Sequence, residues 1–248
     1  MEGWSIERSS FSDEFCGLES AVVRQLRKMG WMGLYQLQRD AIKTIKSDRC
    51  DVVIQAGTAS GKTEAAFLAI VDEALHHTSE RGFVALGLYP TRSLINDQQR
   101  RLSRLCGPVS ITVTKWHSDV PSSIKEMVRR KPRGILLTTP ESLEARFLRS
   151  VTDLYSWFRP LRFVIIDELH SFLFTDRGRH LQCLLTRLAE FIGSRPRVIA
   201  LSATIASESD VLNFLSVGTA RTDVRFIREP RQRGVRLTVH LTSVRAVP

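Results

Sequence analysis

An α/β fold, doubly wound, with a mostly parallel sheet covered by helices on both faces, is what this 248-residue chain predicts. Short, nearly all-apolar runs recur at 52–54, 83–89, 134–138, 163–166 and 198–201, as suits strands buried on both sides. Segments with helical spacing separate them, and right-handed crossovers then wind the helices onto both faces. At 43% hydrophobic and 25% charged residues, the chain can bury a substantial core, and its length suits one large domain.

Taken in order, residues 1–17 are polar and Ser-rich and read as a loosely held lead-in. Leu18, Val22, Leu26 and Met29 share one helical face, and Gly30 to Gly33 break that helix. Leu34, Leu37, Ala41 and Ile45 mark a second helix, which carries Gln38. Ser47-Asp48-Arg49 turns into the first strand. After the strand at 83–89 a helix is expected at 93–105, stopped by Cys106-Gly107-Pro108. Residues 109–114 alternate as a strand does, and 121–130 form a short basic helix with Pro at its start. The strand at 134–138 leads to a helix at 141–148. The most apolar strand, 163–166, precedes a long helix at 179–191; then come a strand at 198–201, a helix at 207–215 and a final strand at 235–241. The single domain is placed at 18–220, with 221–248 as an extension; no repeat, low-complexity tract or interdomain linker interrupts it.

No run of about 18 apolar residues suggests a membrane span, and the first residues lack a basic patch followed by an apolar stretch. Cys16, Cys50, Cys106 and Cys183 lie far apart without a Cys-x-x-Cys pair, which argues against zinc or a disulfide scaffold and fits a reducing cytoplasm. Net charge is +10, from 36 Lys+Arg against 26 Asp+Glu, and suggests a polyanionic partner. A protein kept soluble by its charge would show the same balance.

The chemistry sits where the strands end. Asp51-Val-Val-Ile-Gln-Ala-Gly-Thr-Ala-Ser-Gly-Lys-Thr63 is a strand, a turn of small residues and the start of a helix, the layout of a phosphate-binding P-loop. Small residues let backbone N–H groups turn inward around a phosphate, and the helix N-terminus adds partial positive charge. Lys62 is a point charge for the β- and γ-phosphates, and the Thr63 hydroxyl can hold Mg²⁺. The pattern's first glycine falls at Ala56, beside Gly57, and Ala59 stands where a third is often seen; a small-residue turn capping an ordinary helix is the plainer reading.

In open parallel sheets, ligands bind outside the carboxyl ends of the strands. After the other strands come Pro90-Thr91-Arg92-Ser93, Thr138-Thr139-Pro140-Glu141-Ser142, Asp167-Glu168-Leu169-His170 and Ser202-Ala203-Thr204, all polar and all on one edge. Four apolar residues ending in an acidic pair is a Walker B arrangement: Asp167 for Mg²⁺ through water, Glu168 for the water that attacks the γ-phosphate. An exposed acidic helix cap would look alike. His170 is an ordinary loop histidine or a hydrogen-bond link toward Ser202-Ala203-Thr204. Thr91, Arg92, Thr139 and Ser142 can donate to backbone phosphates, although helix capping suits Ser93 and Ser142 equally. Lys115-Trp116-His117 and the basic run 125–131 extend a phosphate track or form a solvated face.

Together Gly57-Thr58-Ala59-Ser60-Gly61-Lys62-Thr63, Asp167-Glu168-Leu169-His170 and Ser202-Ala203-Thr204 resemble motifs I, II and III of superfamily 2 DEAD/DEAH-box helicases. Pro90-Thr91-Arg92 resembles motif Ia, Thr139-Pro140-Glu141-Ser142-Leu143 resembles motif Ib, and Gln38 before Asp40-Ala41-Ile42 is similar to the adenine-reading Q-motif glutamine. Thr-Thr-Pro-Glu-Ser-Leu, Asp-Glu-Leu-His and Arg177-Gly178-Arg179-His180-Leu181 are closest to the large helicase-related, or Lhr-like, group. The likeness covers roughly residues 30–217. It implies the first, RecA-like motor domain of such an enzyme, binding ATP and Mg²⁺, gripping single-stranded DNA or RNA, and used in processes such as DNA repair. By this likeness Gln38 reads adenine; Gly57 through Thr63 bind ATP; Lys62, Asp167 and Glu168 carry catalysis; His170, Ser202, Ala203 and Thr204 couple; and Thr91, Arg92, Thr139, Pro140 and Ser142 touch the strand.

The family's second RecA-like domain supplies an arginine finger. Gln232-Arg233-Gly234-Val235-Arg236 has the wrong spacing for it, so 221–248 reads as the start of a link to such a domain or to a companion subunit. Slow hydrolysis without unwinding is the expectation for this chain by itself. A nucleotide- and strand-binding module of a larger complex is the alternative; a P-loop small-molecule kinase is opposed by the acidic pair, the basic charge and the Ser-Ala-Thr turn.

Overall fold

The computed structural model describes residues 14–57, 60–149, 151–217 and 223–229. The chain enters through two amphipathic helices, α1 (Ser20–Lys28) and α2 (Gln36–Ser47), which bury Val22 and Leu26, and Leu37, Ala41, Ile42 and Ile45. Phe15, in the stretch read as a lead-in, is buried in the same core. Strands and helices then alternate as β1 (Asp51–Gln55), α3 (Lys62–Leu75), β2 (Gly82–Leu88), α4 (Arg92–Cys106), β3 (Val113–Trp116), α5 (Ser122–Arg130), β4 (Arg133–Thr138), α6 (Pro140–Arg149), α7 (Val151–Phe158), β5 (Phe163–Ile166), α8 (Asp176–Ile192), β6 (Arg197–Ser202), α9 (Glu208–Ser216) and β7 (Val224–Arg228).

The strands form one sheet in the order β3-β4-β2-β5-β6-β1-β7, and every pairing is parallel. Side chains alternate across it: Val52, Ile54, Ile165, Ile199 and Leu201 face a core shared with α1 to α4, whereas Val53, Val164, Ile166, Val198 and Ala200 face a core shared with α5 to α9. The chain runs β1, β2, β3 in one direction along the sheet with α3 and α4 on one face, then reverses and places its later helices on the other. That is the outcome right-handed crossovers require when the winding direction changes. All carboxyl ends therefore share one edge.

Several expectations are corrected. The strand expected at 109–114 is β3, Val113–Trp116, because Gly107–Val109 forms a 3₁₀ turn and Ser110 takes left-handed backbone (φ 63°) before extension begins. α7 was not anticipated; it buries Leu154, Trp157 and Phe158, with Trp157 edge-on to Phe83 at 5.5 Å and to Trp116 at 5.0 Å. β7 was not anticipated either, since as an edge strand it pairs only with β1 and reads Val-Arg-Phe-Ile-Arg rather than wholly apolar. The strand expected at 235–241 lies outside the described residues. The hydroxyls that cap α4 and α6 belong to Thr91, which accepts from Leu94 N, and Thr139, which accepts from Ser142 N, not to Ser93 and Ser142.

Candidate functional site

At the end of β1 the backbone turns through Ala56 and Gly57 toward Gly61, which caps α3 in left-handed conformation (φ 81°). That backbone favours glycine, and a Cβ there would lie 2.6 Å from Gln38 Nε2, whose carboxamide would have to shift. Gln38 is buried, and its Oε1 accepts from Tyr35 N at 3.0 Å, which fixes the carboxamide against the loop. Ser60 Oγ donates to Gly57 O at 2.7 Å. Lys62 and Thr63 begin α3, both over nine-tenths buried; the ammonium has a long contact of 3.4 Å to Ala56 O. Thr58 and Ala59 lie outside the described residues.

Two strands away, Asp167 follows β5. It is 3% exposed, which excludes an exposed helix cap, and its Oδ1 accepts from Glu168 N at 3.0 Å. Burial first, and the adjacent Glu168 second, push its carboxyl up to about 6, while Lys62 and Arg101 pull the other way. The ammonium of the P-loop thus acts on the acid of the Asp-Glu pair. Glu168 holds left-handed backbone (φ 51°), a conformation that costs a non-glycine residue of order 1 kcal/mol or more. Tyr89, at the end of β2, is fully buried with an unpartnered hydroxyl, and burial together with Asp167 raises its pKa well above the phenol range.

His170 Nδ1 lies 3.2 Å from Ser202 Oγ and 3.4 Å from Glu168 Oε2. Ser202 Oγ donates its own hydrogen to Thr204 O at 2.6 Å, so toward His170 it accepts, and Nδ1 carries the proton. This arrangement links the acidic pair to the turn after β6. Ala203 forms the middle of that turn, half-buried.

A groove of about 580 Å³ opens on the same edge of the sheet, beyond β2, β3 and β4. Thr91, Arg92, Thr139 and Ser142 line it, joined by Lys125, Arg129, Arg146, Arg149 and Arg177. Pro140, which opens α6, is buried and does not line the groove. Arg92 is held by Asp119 at 2.9 and 3.2 Å, and Arg177 by Glu141 at 2.5 and 3.0 Å. Lys115 instead bonds Asn96 Oδ1 at 2.8 Å.

The DEAD/DEAH box helicase family matches this chain over residues 35–212. The chain belongs to that family. Over 222 residues the helicase domain is 33% identical to an Lhr helicase/probable uracil glycosylase of Mycolicibacterium smegmatis, covering 84% of this chain and 14% of that protein. Over 215 residues it is 36% identical to an ATP-dependent helicase Lhr-Core of Methanocaldococcus jannaschii, covering 77% of this chain and 24% of the relative. The chain therefore spans a quarter or less of the length of these relatives. Its fold matches the structure of Mycobacterium smegmatis helicase Lhr bound to ssDNA and AMP-PNP with a TM-score of 0.73 at 29% identity, over 85% of this chain and 28% of the other. The fold is RecA-like, and the expected Lhr-type kinship stands.

Sequence reasoning passed over Arg146 and Arg149 of the helicase domain. They stand three residues apart on α6, a spacing that puts both on one side of a helix and gives the only signal available in the sequence. It also passed over Tyr89, whose burial beside Asp167 follows from strand pairing alone. Among the described residues no helix is long and apolar enough to cross a membrane.

Proposed function

We propose that this chain is the ATP-binding motor domain of a nucleic-acid-dependent ATPase or helicase. One observation carries the reading: a buried lysine at the start of α3 acts electrostatically on buried Asp167, the first of the acidic pair after β5, at the edge of the sheet where the basic groove opens. Lys62 holds the β- and γ-phosphates of ATP, and the N–H groups of the loop from Gly57 through Gly61, with Thr58, Ala59 and Ser60, surround them. Gln38 reads the adenine edge. Glu168 orients the attacking water and takes its proton as the bond to the γ-phosphorus forms, the ADP oxygen leaving on the opposite side.

The donors fit Mg²⁺. One hydroxyl and one carboxylate, with no cluster of three His, Cys, Asp or Glu among the described residues, suit an ion shared with phosphates and water rather than a protein cage. Thr63 and Asp167 would hold it, and when bound it neutralises charge on the β- and γ-oxygens. His170, with Ser202, Ala203 and Thr204, relays the state of the acidic pair to the rest of the fold. Thr91, Arg92, Thr139, Pro140 and Ser142 meet a single-stranded DNA or RNA backbone, and a second RecA-like domain or companion subunit completes the motor. Four cysteines spread along the chain without a Cys-x-x-Cys pair accord with a reducing cytoplasm.

The test is phosphate release from ATP with and without single-stranded oligonucleotides, beside the shift in melting temperature on adding MgATP. Stimulated turnover and a raised melting temperature are expected; a chain that ATP does not stabilise would sink the reading.

A further inference from the structure

The wall of the basic groove contains a tryptophan that the ATPase reading does not use. Trp116, the last residue of β3, is 6% exposed, so its ring is not a platform for a base. It is a support for cations instead. Arg146 Cζ lies 5.2 Å from its ring centroid, Arg129 Cζ 5.8 Å and Lys125 Nζ 5.9 Å. The Arg146 guanidinium also lies 4.9 Å from the ring of Trp157, which stands edge-on to Trp116. Three cations from two helices are thus gathered on one indole, and all three line the groove.

Their remaining bonds leave capacity for a ligand. Arg146 uses one nitrogen on Asp153 at 2.8 Å, and its buried Nε has no partner. Lys125 donates to Ser118 O at 3.0 Å, and Arg129 meets Glu126 at 3.3 Å. The neighbouring His117 also lines the groove, 3% exposed, with neither ring nitrogen hydrogen-bonded and Asp119 at 3.9 Å from Nδ1. Burial holds this imidazole below its usual range, Asp119 opposing, so it offers one N–H and one lone pair. Buried polar groups left unpaired in a cationic groove point to an acceptor-rich ligand.

We propose that Trp116 is a positioning residue for strand binding: its indole holds Lys125, Arg129 and Arg146 in place to meet successive phosphates of a single-stranded nucleic acid. The inference rests on the motor reading above. Long basic side chains lose rotamer freedom when they grip a phosphate, and cations already stacked on a ring have lost it beforehand. Because the contacts are to phosphate, the grip is indifferent to sequence and falls steeply with salt.

Salt dependence of binding tests it. Fluorescence anisotropy with labelled oligo-dT and oligo-rU of about 15 nucleotides, between about 50 and 200 mM salt, gives the slope of log affinity against log salt. Trp116→Leu is expected to lower affinity about tenfold or more at low salt and to make the slope shallower by about 1 to 2, since each phosphate contact contributes about 0.7 for single strands. Trp116→Phe, which keeps an aromatic face, is expected to recover much of both. The rise in melting temperature with MgATP reports that each variant is folded. Should Trp116→Leu fail to fold, Trp116→Met, which fills the space without a ring face, takes its place: Lys125→Ala/Arg129→Ala lowers the slope in the wild type and is expected to lower it less in Trp116→Met. A wild-type slope kept by Trp116→Leu, or strictly additive losses in Trp116→Met, overturns the role of Trp116 alone. Absence of salt-dependent binding by the wild type removes the motor reading beneath it.

Discussion

In the function proposed above, Glu168 and Lys62 serve ATP in different ways, and substitution separates them. Glu168→Gln keeps the shape and the left-handed backbone but takes away the base, so turnover is expected to fall about 100-fold or more while ATP affinity changes little. Lys62→Ala removes the charge that holds the phosphates, so affinity itself is expected to fall. A phosphate-release assay beside titration with a fluorescent nucleotide distinguishes the two, and normal hydrolysis by Glu168→Gln would refute its role. Asp167 gives a pH signature. Its carboxyl titrates at about 6 in the folded chain, against a reference near 3.8. Between those values the folded state binds the additional proton, so without metal or nucleotide the melting temperature is expected to decline as pH rises from about 4 to about 6. Asp167→Asn should flatten that decline; an unchanged profile in the variant assigns it to other groups.

Helix and strand junctions set the position of these groups. Gly178, in the first turn of α8, sits where a Cβ would come within 1.9 Å of Phe172 O. Gly178→Ala must push α8 away from the segment that follows the acidic pair, and a loss of about 1 to 3 kcal/mol in urea unfolding is expected. α7 locks the opposite corner. Trp157 is 1% exposed and meets Phe83, Trp116 and Phe158 edge-on, so Trp157→Ala is expected to cost about 3 to 5 kcal/mol by the same measurement. A loss below about 1 kcal/mol would mean that α7 is dispensable to the core.

For the molecule as a unit, the proposed ATP site and the basic groove share one edge of the sheet. Assayed as the 248-residue chain, it is expected to bind ATP, hydrolyse it slowly and separate no duplex. Supplying the second RecA-like domain of an Lhr-type relative, joined or in trans, is expected to raise turnover by orders of magnitude, as an arginine finger can. Robust strand separation by the chain alone would contradict this.

The phosphate loop, the acidic pair and the alternation of strands were legible because each is local. Gly61-Lys62-Thr63 follows its strand within a few residues, Asp167-Glu168 follows four apolar residues, and Val52-Val53-Ile54 is apolar throughout because both faces of its strand are covered. α7 and β7 were not legible: one is a short helix whose burial depends on Trp116 and Phe83, far off in sequence, and the other an edge strand that needs only one partner. The sequence alone determined a parallel sheet whose strands are followed by the candidate nucleotide residues, since strand, turn and helix are encoded within a few residues. Only the tertiary structure decided that Lys62 lies within electrostatic reach of Asp167, that His170 faces Ser202, and that Lys125, Arg129 and Arg146 converge on Trp116. Those meetings join segments tens of residues apart, and strand order, which no local pattern records, brings them together.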